Sequence, residues 1–352
     1  MLLKKLLLNK KPLDILKEGT VIPATPLALD ENRSFDEVMQ RRLIRYYLSA
    51  GVGGIATAVH TTQFEIRLPQ YNLYKTVLSV VIDEIKRFEQ ANNKTIVKIA
   101  GACGDSAQAL KEAEYARKLG YDAVLLNPGG LKDKSEAYML ERTKEVSSII
   151  PVIGFYLQPS VGGRIFSFDY WEKLCEIENV IAIKLAPFNR YQTLEAVRAA
   201  AFSSRDIALY TGNDDNIIID LLNEYEFEKN GIIYKKKFVG GLLGHWAVWT
   251  NTAVKLFEKI KKEGLTPEML ILSNQITDCN SAFFDAANNF KGCIAGLHEV
   301  LRRQGLLKGI WCLNKEETLS EGQLEEIDRV YKMYPHLNDD EFVRRFLKGE
   351  KT

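Results

Sequence analysis

Eight short apolar runs alternate with helical segments along most of the chain, and this alternation restricts the fold more than any other feature. Parallel strands need a crossover between them, and helices usually supply it. The β-rich runs are TVIPATPLA, GGIATAVH, TIVKIAGAC, DAVLLNPG, PVIGFYLQ, VIAIKLAP, IALYTGND and KFVGGLLG. Helices are predicted after them over residues 35–50, 68–91, 106–119, 135–149, 168–177, 190–202, 217–225 and 246–262. Eight β–α units between residues 19 and 264 predict a (β/α)8 TIM barrel with a C-terminal helical extension.

A doubly wound open sheet is the competing arrangement of alternating strands and helices. It usually has fewer strands and a glycine-rich nucleotide-binding turn after the first one. Here the first strand leads into PATPLALDENRSFD, and neither GxGxxG nor GxxxxGK occurs in the sequence. The sequence therefore favours the barrel.

Segments outside the eight units predict a three-part organisation. Residues 1–18 are expected to form a short amphipathic helix or extension that packs on the barrel or on a partner subunit. Residues 19–264 are the predicted catalytic barrel. Residues 265–352 are a predicted helical subdomain, because apolar residues recur at helical spacing in CIAGLHEVLRRQGLL and GQLEEIDRVYKMY. The stretch 223–238 is longer than a barrel connection needs, and an inserted hairpin, an extended helix end or a solvated loop would all account for it.

Composition argues against several classes of function. The formal net charge of +1 gives no reason to expect nucleic acid or an anionic membrane surface as a partner. Five scattered cysteines without a CxxC pair are typical of a reduced, cytoplasmic protein. Lysines interrupt the apolar runs at the N-terminus, and no segment approaches the ~18 consecutive apolar residues of a membrane span. Neither a signal peptide nor a transmembrane helix is predicted.

One lysine, Lys184, lies inside the apolar sixth strand VIAIKLAP. Alternation places it with Ala182 and Ala186 on one face, and Ile183 and Leu185 on the other. In a barrel the small-residue face would point inward, with Lys184 near the C-terminal end of the strand, where barrel active sites lie. Desolvation there would lower the pKa of the amine and populate the neutral form that attacks a carbonyl. An edge strand whose lysine reaches water is the alternative.

The fifth strand, PVIGFYLQPS, carries a tyrosine that alternation also predicts to point inward. Its smaller face ends in Tyr156 and Gln158, whereas its bulkier face carries Phe155. We therefore expect Tyr156 at nearly the same height as Lys184 on the adjacent strand. A buried tyrosine hydroxyl needs a partner, and an amine or a substrate oxygen would provide one. A core tyrosine bonded to a backbone carbonyl is the alternative.

The second strand ends in AVHTTQFEIR, where Thr61 and Thr62 are adjacent. Neighbouring hydroxyls and free backbone N–H groups in a turn can hold a carboxylate without a formal cation. Threonine pairs also occur in strands and turns for local conformational reasons.

Taken together, these three features resemble the dihydrodipicolinate synthase and N-acetylneuraminate lyase family, the Schiff-base branch of pyruvate-dependent aldolases. The family pattern has a hydroxyl pair after the second strand, a tyrosine in an IxYNxPxxxG-like fifth strand and a lysine in an IxGIK-like sixth. This chain has HTTQFE, IGFYLQPSVGG and VIAIKLAP at those places, and TPLALDENRSFD and TGNDD are similar to the family's first and seventh strand ends. The resemblance covers about residues 19–310 and implies a homodimeric or homotetrameric barrel with a helical C-terminal part.

The resemblance implies a role for each matching residue. Lys184 would form an imine with pyruvate or a related 2-oxo acid, and Tyr156 would act as general acid and base near the carbonyl carbon. Thr62 would hold the carboxylate, and Thr61 would relay protons to Tyr156. No cofactor or metal is expected, because the protonated imine is itself the electron sink.

Two departures from the lysine-pathway synthases bear on the substrate. After the fourth strand, NPGGL places Gly129 and Gly130 where those synthases have a relay tyrosine. After the fifth, PSVGGR places Val161 where they have an arginine that grips the second substrate, and Arg164 follows three residues later. We therefore expect a larger 2-oxo acid, such as a 2-oxo-3-deoxy sugar acid. Polar residues near the predicted strand ends complete the candidate substrate-binding set: His60, Gln158, Arg164, Asn213 and Asp214, with His245.

Other functions stay open at this point. The chain could be a true 4-hydroxy-tetrahydrodipicolinate synthase, or a non-catalytic family member that binds a ligand as a scaffold, as the missing relay tyrosine suggests. A lysine buried among alanines argues against the scaffold. A metal-dependent barrel would draw on His60, Glu65, Asp214 and His245, but no HxH or ExxH spacing supports it.

Overall fold

The structure is a computed structural model that describes residues 10–349. Its strands and helices follow one another in the order of a (β/α)8 barrel with additional C-terminal helices, so the predicted fold class is confirmed. The strands are β1 (Val21–Pro23), β2 (Gly54–Thr57), β3 (Val97–Ala102), β4 (Ala123–Leu126), β5 (Val152–Leu157), β6 (Val180–Ala186), β7 (Ala208–Thr211), β8 (Glu224–Lys229) and β9 (Ile232–Leu243). The helices are α1 (Lys10–Glu18), α2 (Glu37–Ala50), α3 (Tyr74–Asn92), α4 (Ser106–Leu119), α5 (Glu136–Ser147), α6 (Phe168–Cys175), α7 (Arg190–Phe202), α8 (Ile217–Leu222), α9 (Thr250–Glu263), α10 (Pro267–Phe283), α11 (Cys293–Arg303), α12 (Gln323–Met333) and α13 (Asp340–Gly349).

The chain divides into two compact units. The first unit contains the chain up to Thr20, Val97–Asn213 and Ile219–Gly241. The second unit contains Val21–Ile96, Asp214–Ile218 and the chain from Leu242 onward. The predicted boundaries after residues 18 and 264 follow the barrel topology rather than this division, and they stay predictions.

The first unit is a parallel sheet covered by helices. Strands β3, β4, β5, β6, β7 and β9 are neighbours in this order, and each neighbouring pair is parallel. All six residues of β3 and of β5 are buried, as expected of strands with both faces covered. Helix α4 begins after Asp105, whose side chain accepts a hydrogen bond from the backbone N–H of Gln108, and ends at the left-handed Gly120, as the sequence predicts.

The insertion around residues 223–238 is a hairpin, so the first of the three predicted alternatives is what the structure contains. Strands β8 and β9 pair antiparallel, with Glu224 opposite Lys237 and Glu226 opposite Lys235. Each of these cross-strand pairs forms an ion pair, at 2.7 and 2.5 Å respectively. Helix α8 therefore ends at Leu222, and the prediction that it continues to residue 225 is wrong.

Helix α1 belongs to the first unit and covers residues 10–18 of the predicted N-terminal extension. The carbonyl of Leu16 accepts a hydrogen bond from the Tyr210 hydroxyl of β7 at 2.9 Å, and Lys17 pairs with Asp206 at 2.9 Å. The helix thus packs against the chain's own barrel, one of the two predicted arrangements. Residues 1–9 lie outside the described part of the chain.

In the second unit, β1 and β2 are linked by a parallel bridge between Ala24 and Ala56. The C-terminal segment is attached through Tyr46 of α2. Its hydroxyl donates to Asp339 Oδ2 at 2.6 Å and accepts from the Thr250 N–H at 2.8 Å. These buried contacts link α2, the start of α9 and the segment before α13, so the predicted C-terminal helices pack on this unit.

Helix α3 begins later than the sequence pattern predicts. Residues Phe64–Arg67 form a short 3₁₀ helix, and Leu68 is extended, with ψ 140°. Pro69 explains the break, because the residue before a proline avoids the helical region. The prediction of a continuous helix from residue 68 is wrong, and α3 starts at Tyr74. Within residues 10–349, no helix is long and apolar enough to span a membrane.

Candidate active site

Lys184 is buried near the C-terminal end of β6, with 8% of its surface exposed. Two small residues, Ala186 and Gly212, leave room on one side of its side chain. A Cβ atom added at Gly212, just after β7, would lie 2.5 Å from Lys184 Cε and 2.8 Å from the Cβ of Ala186. Lys184 therefore shares its face of the sheet with Ala186 and fills the space that the missing side chain at Gly212 leaves.

The β5 side chain that faces Lys184 is Phe155, not Tyr156. Phe155 is opposite Lys184 in the ladder between β5 and β6, and its ring centre lies 4.6 Å from Lys184 Nζ. Tyr156 is on the other face, where its ring packs 4.8 Å from that of Trp171 in α6. The prediction that Tyr156 points inward beside Lys184 is wrong. The proton-transfer role assigned to Tyr156 and the proton relay from Thr61 to it are therefore not supported.

Gly154 is the reason why the sequence pattern predicted the wrong inner face for β5. Its small size suggested that the face it shares with Tyr156 points into the barrel. A Cβ at Gly154 would lie 2.9 Å from Leu174 Cδ2, so glycine at this position allows α6 to pack closely on the outside of the sheet. Both faces of β5 are buried and apolar, so side-chain size does not distinguish the inner face from the outer. The Tyr156 hydroxyl is buried, and it makes no hydrogen bond of normal length and angle with any described residue. Burial raises the pKa of Tyr156 to about 12.

Thr61 and Thr62 lie in a 3₁₀ turn directly after β2, in the second unit. The Thr61 hydroxyl donates to the Ala24 carbonyl at 2.7 Å, and the Thr62 hydroxyl donates to the Thr25 carbonyl at 2.6 Å. Thr62 Oγ1 also accepts from the Val59 N–H at 3.3 Å. Both hydroxyl protons are thus directed at the end of β1. A carboxylate bound by either hydroxyl would replace the carbonyl that the hydroxyl now contacts.

Other predicted polar residues of the second unit follow strands in the sequence: His60 after β2, Asp214 after β7 and His245 after β9. His60 precedes the two threonines, and its ring lies 5.8 Å from that of Phe64. Asp214 and His245 are brought together, since the His245 N–H donates to Asp214 Oδ1 at 2.9 Å. Burial lowers the pKa of His245 to about 4, so its ring is neutral at neutral pH. This ring is suited to orienting a neighbour rather than to carrying a proton.

Glu317, between α11 and α12, is a titratable group that the sequence patterns did not identify. Burial and, to a smaller extent, the nearby carboxylate of Glu65 together raise the pKa of Glu317 to about 7. A hydrogen bond links the segments that contain Glu317 and Glu65, because the backbone N–H of Leu313 donates to the side-chain Oε1 of Gln63 at 2.6 Å. No local motif marks Glu317, since its environment comes from a contact between distant parts of the chain.

Asn213 belongs to a buried network at the end of β7, in the first unit. Its Nδ2 donates to Asp220 Oδ2 at 2.9 Å, and its Oδ1 accepts from the Phe188 N–H at 3.1 Å. Asp220 also accepts from Thr211 Oγ1 at 2.6 Å and pairs with Arg190 at 2.5 Å. The network holds the loop after β6 against the end of β7. Asp220 was not predicted, although an acid in the apolar run IIIDLL is a recognisable signal.

Arg164 connects the loop after β4 to the loop after β5. Its Nη1 donates to the carbonyls of Leu131 and Lys134, at 3.3 and 2.5 Å, and its guanidinium lies over the Phe166 ring at 5.1 Å. Gln158 is buried at the start of its loop, and its carbonyl accepts from the Gly163 N–H at 3.0 Å. Arg164 thus has a structural role in this conformation.

The two glycines after β4 differ in the space around them. A Cβ at Gly129 would lie 3.3 Å from the Gly162 carbonyl, so this position is tightly packed. A Cβ at Gly130 would meet no atom within 4 Å, and Gly130 has a φ of 77° that favours glycine. Of these two glycines, Gly130 is exposed, so the open space beside it lies at the protein surface.

A metal site would need several ligands grouped together. Across residues 10–349, no three His, Cys, Asp or Glu side chains are grouped as metal ligands, including His60, Glu65, Asp214 and His245. The donor set of a metal-dependent barrel is not assembled in this part of the chain.

The chain belongs to the dihydrodipicolinate synthetase family, whose model matches residues 17–224. The resemblance stated from the motifs is confirmed. A curated relative, 4-hydroxy-tetrahydrodipicolinate synthase of Clostridium novyi, is 32% identical over 128 residues, which are 36% of this chain and 42% of that protein. A probable 5-dehydro-4-deoxyglucarate dehydratase of Pseudarthrobacter chlorophenolicus is 29% identical over 134 residues, which are 38% of this chain and 40% of that protein. The chain thus spans less than half the length of these two relatives.

Solved structures match over a longer range. The crystal structure of N-acetylneuraminate lyase from Fusobacterium nucleatum matches with a TM-score of 0.70 and 18% sequence identity. The match covers 90% of this chain and 99% of that chain. At this identity, the similarity shows the fold alone.

Proposed function

We propose that the protein is a lyase of the class I aldolase type that forms an imine between Lys184 and pyruvate or a related 2-oxo acid. The observation that carries the proposal is the position of Lys184, which is buried near the C-terminal end of a barrel strand, where Ala186 and Gly212 leave room for its side chain. Barrel enzymes bind their substrates at this end of the strands. Family membership supports the proposal, as do relatives named as a synthase and a dehydratase.

The chemistry needs a neutral amine and then a positively charged imine. The amine attacks the 2-oxo carbon, and loss of water gives a protonated imine. This imine withdraws electrons, so a proton leaves C3 and an enamine forms. In a dehydration, the enamine then expels the hydroxyl of C4, which leaves as water after accepting a proton. Hydrolysis of the resulting imine restores Lys184 and releases the unsaturated or rearranged 2-oxo acid.

For the second part of the substrate, we propose a hydroxylated chain rather than aspartate semialdehyde. Val161 stands where the synthases have a carboxylate-gripping arginine, and Nη1 of Arg164 is bonded to the carbonyls of Leu131 and Lys134. The exposed Gly130 has no side chain that would obstruct a longer substrate on the loop after β4. One relative is named as a probable dehydratase of 5-dehydro-4-deoxyglucarate, an acid of this class. We propose the turn with Thr62 as the site that binds the carboxylate of the 2-oxo acid. The predicted oligomeric state is a homodimer or homotetramer, and the predicted location is the cytoplasm.

Covalent trapping tests the imine. Incubation with pyruvate and borohydride should add one reduced pyruvate to each chain, and Lys184→Ala should abolish the addition. An unlabelled wild-type protein would contradict the proposal.

A substrate panel tests the second part. We expect kcat/KM for dehydration or cleavage of at least one 2-oxo-3-deoxy sugar acid to exceed that for condensation of pyruvate with aspartate semialdehyde. Losing a charge-assisted contact to the second carboxylate removes roughly tenfold to a hundredfold in affinity. A higher value for the condensation than for every sugar acid would identify a true synthase instead.

A non-catalytic ligand-binding protein is the second candidate. The observation that favours it is Phe155, because the β5 side chain next to Lys184 carries no hydroxyl. Pyruvate that binds without forming a reducible adduct would favour this candidate over the lyase.

A further inference from the structure

We propose that Phe155 is a positioning residue of the imine site, whose ring face stabilises the charged amine of Lys184 and the positively charged imine that replaces it. This inference rests on the proposed function and assigns to β5 an electrostatic role instead of a proton-carrying one. The geometry that carries it is the short distance of 4.6 Å between Lys184 Nζ and the centre of the Phe155 ring. A cation within about 6 Å of an aromatic ring centre is attracted by the negative face of the ring.

The surrounding packing holds the two side chains together. Phe155 and Lys184 are opposite each other in the parallel ladder, so they project from the same face of the sheet. Phe155 is buried, with 6% of its surface exposed, and Lys184 is buried to a similar degree. Ala186 and the space at Gly212 accommodate the lysine chain from the β6 and β7 side. A cation–π contact is stronger in such a desolvated setting than at the surface.

The strands around Lys184 offer few other charges. Strands β5, β6 and β7 contain no carboxylate, and Lys184 is the only cation in them. Opposite Lys184 on β7 is Tyr210, whose hydroxyl donates to the Leu16 carbonyl, and burial raises the pKa of Tyr210 well above its ordinary value. Tyr156 is on the other face, where burial raises its pKa to about 12. Both phenols are therefore neutral near pH 7, and the face of Phe155 favours a positive charge at Lys184 Nζ.

A ring that favours the cation has opposite effects on two steps. It disfavours the neutral amine that attacks the 2-oxo acid, and it stabilises the protonated imine through which turnover proceeds. Removing the ring should therefore make the amine reactive at lower pH and at the same time decrease kcat. A residue that only fills space would not make the amine more reactive at low pH while it decreases kcat.

The experiment compares Phe155→Leu, which removes the ring, with Phe155→Tyr, which keeps it, and with Tyr156→Phe on the opposite face. The pH midpoint of borohydride trapping with pyruvate is measured for each protein. We expect the midpoint of Phe155→Leu to move to lower pH by roughly 0.4 to 1.5 units, the shift that a desolvated cation–π contact corresponds to. The other two variants should keep the wild-type midpoint. An unchanged or raised midpoint in Phe155→Leu would overturn the proposal.

Two further measurements keep this result separate from the proposed function. Acetic anhydride labelling of Lys184 as a function of pH, read by peptide mass spectrometry, requires no 2-oxo acid. If wild-type protein gives no pyruvate adduct, the proposed function fails, whereas the labelling midpoint still tests the contact between ring and amine. If Phe155→Leu does not fold, Phe155→Met provides a flexible apolar side chain in its place. The same downward shift is expected, and its absence would overturn the proposal.

Discussion

Lys184 Nζ lies 4.6 Å from the centre of the Phe155 ring, whereas the next residue along β5, Tyr156, packs against Trp171 on the opposite face. Because neighbouring side chains of a strand point in opposite directions, one of them belongs to the barrel interior and the other to the layer between sheet and helices. Substitutions at these two positions should therefore affect different properties. Changes at Phe155 should affect reactivity, and changes at Tyr156 should affect stability.

Tyr156→Phe should leave the rate of imine trapping within about twofold of wild type. The free energy of unfolding should stay the same or rise by about 1 kcal/mol, because the substitution removes a buried hydroxyl without a hydrogen bond of ordinary geometry. Urea denaturation and trapping kinetics measure the two quantities. A fall of a hundredfold or more in rate would restore Tyr156 as a proton carrier.

Tyr47→Phe is the matched control for that stability measurement. The Tyr47 ring is also buried, but its hydroxyl donates to the Ala247 carbonyl at 2.9 Å. Removing the hydroxyl leaves this carbonyl without its donor, so we expect a loss of roughly 1–3 kcal/mol. Equal losses in the two variants would show that the Tyr156 hydroxyl has a partner of similar strength.

Gly212→Ala should displace the Lys184 side chain. The added methyl would lie 2.5 Å from Lys184 Cε and 2.8 Å from Ala186 Cβ, both far closer than van der Waals contact. Overpacking of this kind costs about 1–3 kcal/mol, and moving the lysine should slow imine trapping by at least tenfold. Gly349→Ala, where a Cβ would meet no atom within 4 Å, is the control and should change neither quantity. Wild-type trapping in Gly212→Ala would show that the amine has room to react from another position.

Glu317→Gln should change how stability depends on pH. Burial, together with Glu65, raises the pKa of Glu317 from its ordinary 4.5 to about 7, so the folded state binds its proton more tightly than the unfolded state. The free energy of unfolding should therefore fall as pH rises from about 4.5 to about 7, by roughly 1–3 kcal/mol from this group. The glutamine variant should lack this component, so relative to wild type it should be more stable at pH 8 than at pH 5.

Urea denaturation at several pH values measures the difference, with Glu316→Gln as the control. Glu316 is exposed and adjacent, so its substitution should leave the pH dependence unchanged. Parallel profiles for wild type and Glu317→Gln would contradict a half-buried carboxyl group that keeps its proton up to about pH 7.

The alternation of strands and helices was sufficient to predict the barrel, because apolar periodicity depends on burial. The orientation of Lys184 also followed from its strand, since a lysine flanked by alanines differs in size and polarity from the opposite face. On β5, side-chain size predicted the wrong inner face. There the small residue Gly154 makes room for Leu174 of α6, and two buried apolar faces cannot be distinguished by size.

The other features that the sequence analysis missed also have physical explanations. The environment of Glu317 depends on a contact with Glu65, far away in sequence, which no local pattern records, whereas the acid Asp220 within the apolar run IIIDLL was recognisable. The late start of α3 was recognisable, because Pro69 follows Leu68 within the predicted helix. The hairpin of β8 and β9 was one of several alternatives for its segment, since alternating charges in EYEFEK suit an exposed strand as well as a loop.

Residue-level mapping of the trapped adduct tests the central claim most directly, because the chain contains a suitable comparison lysine. Lys98 on β3 is as buried as Lys184, with 7% of its surface exposed against 8%. It pairs with Asp122 at 3.3 Å and lies near the start of its strand. After reduction with borohydride in the presence of pyruvate, tandem mass spectrometry should find the adduct on Lys184 and none on Lys98. Lys98→Ala should keep the adduct and Lys184→Ala should lose it. An unmodified Lys184, or an adduct that persists in Lys184→Ala, would contradict the account.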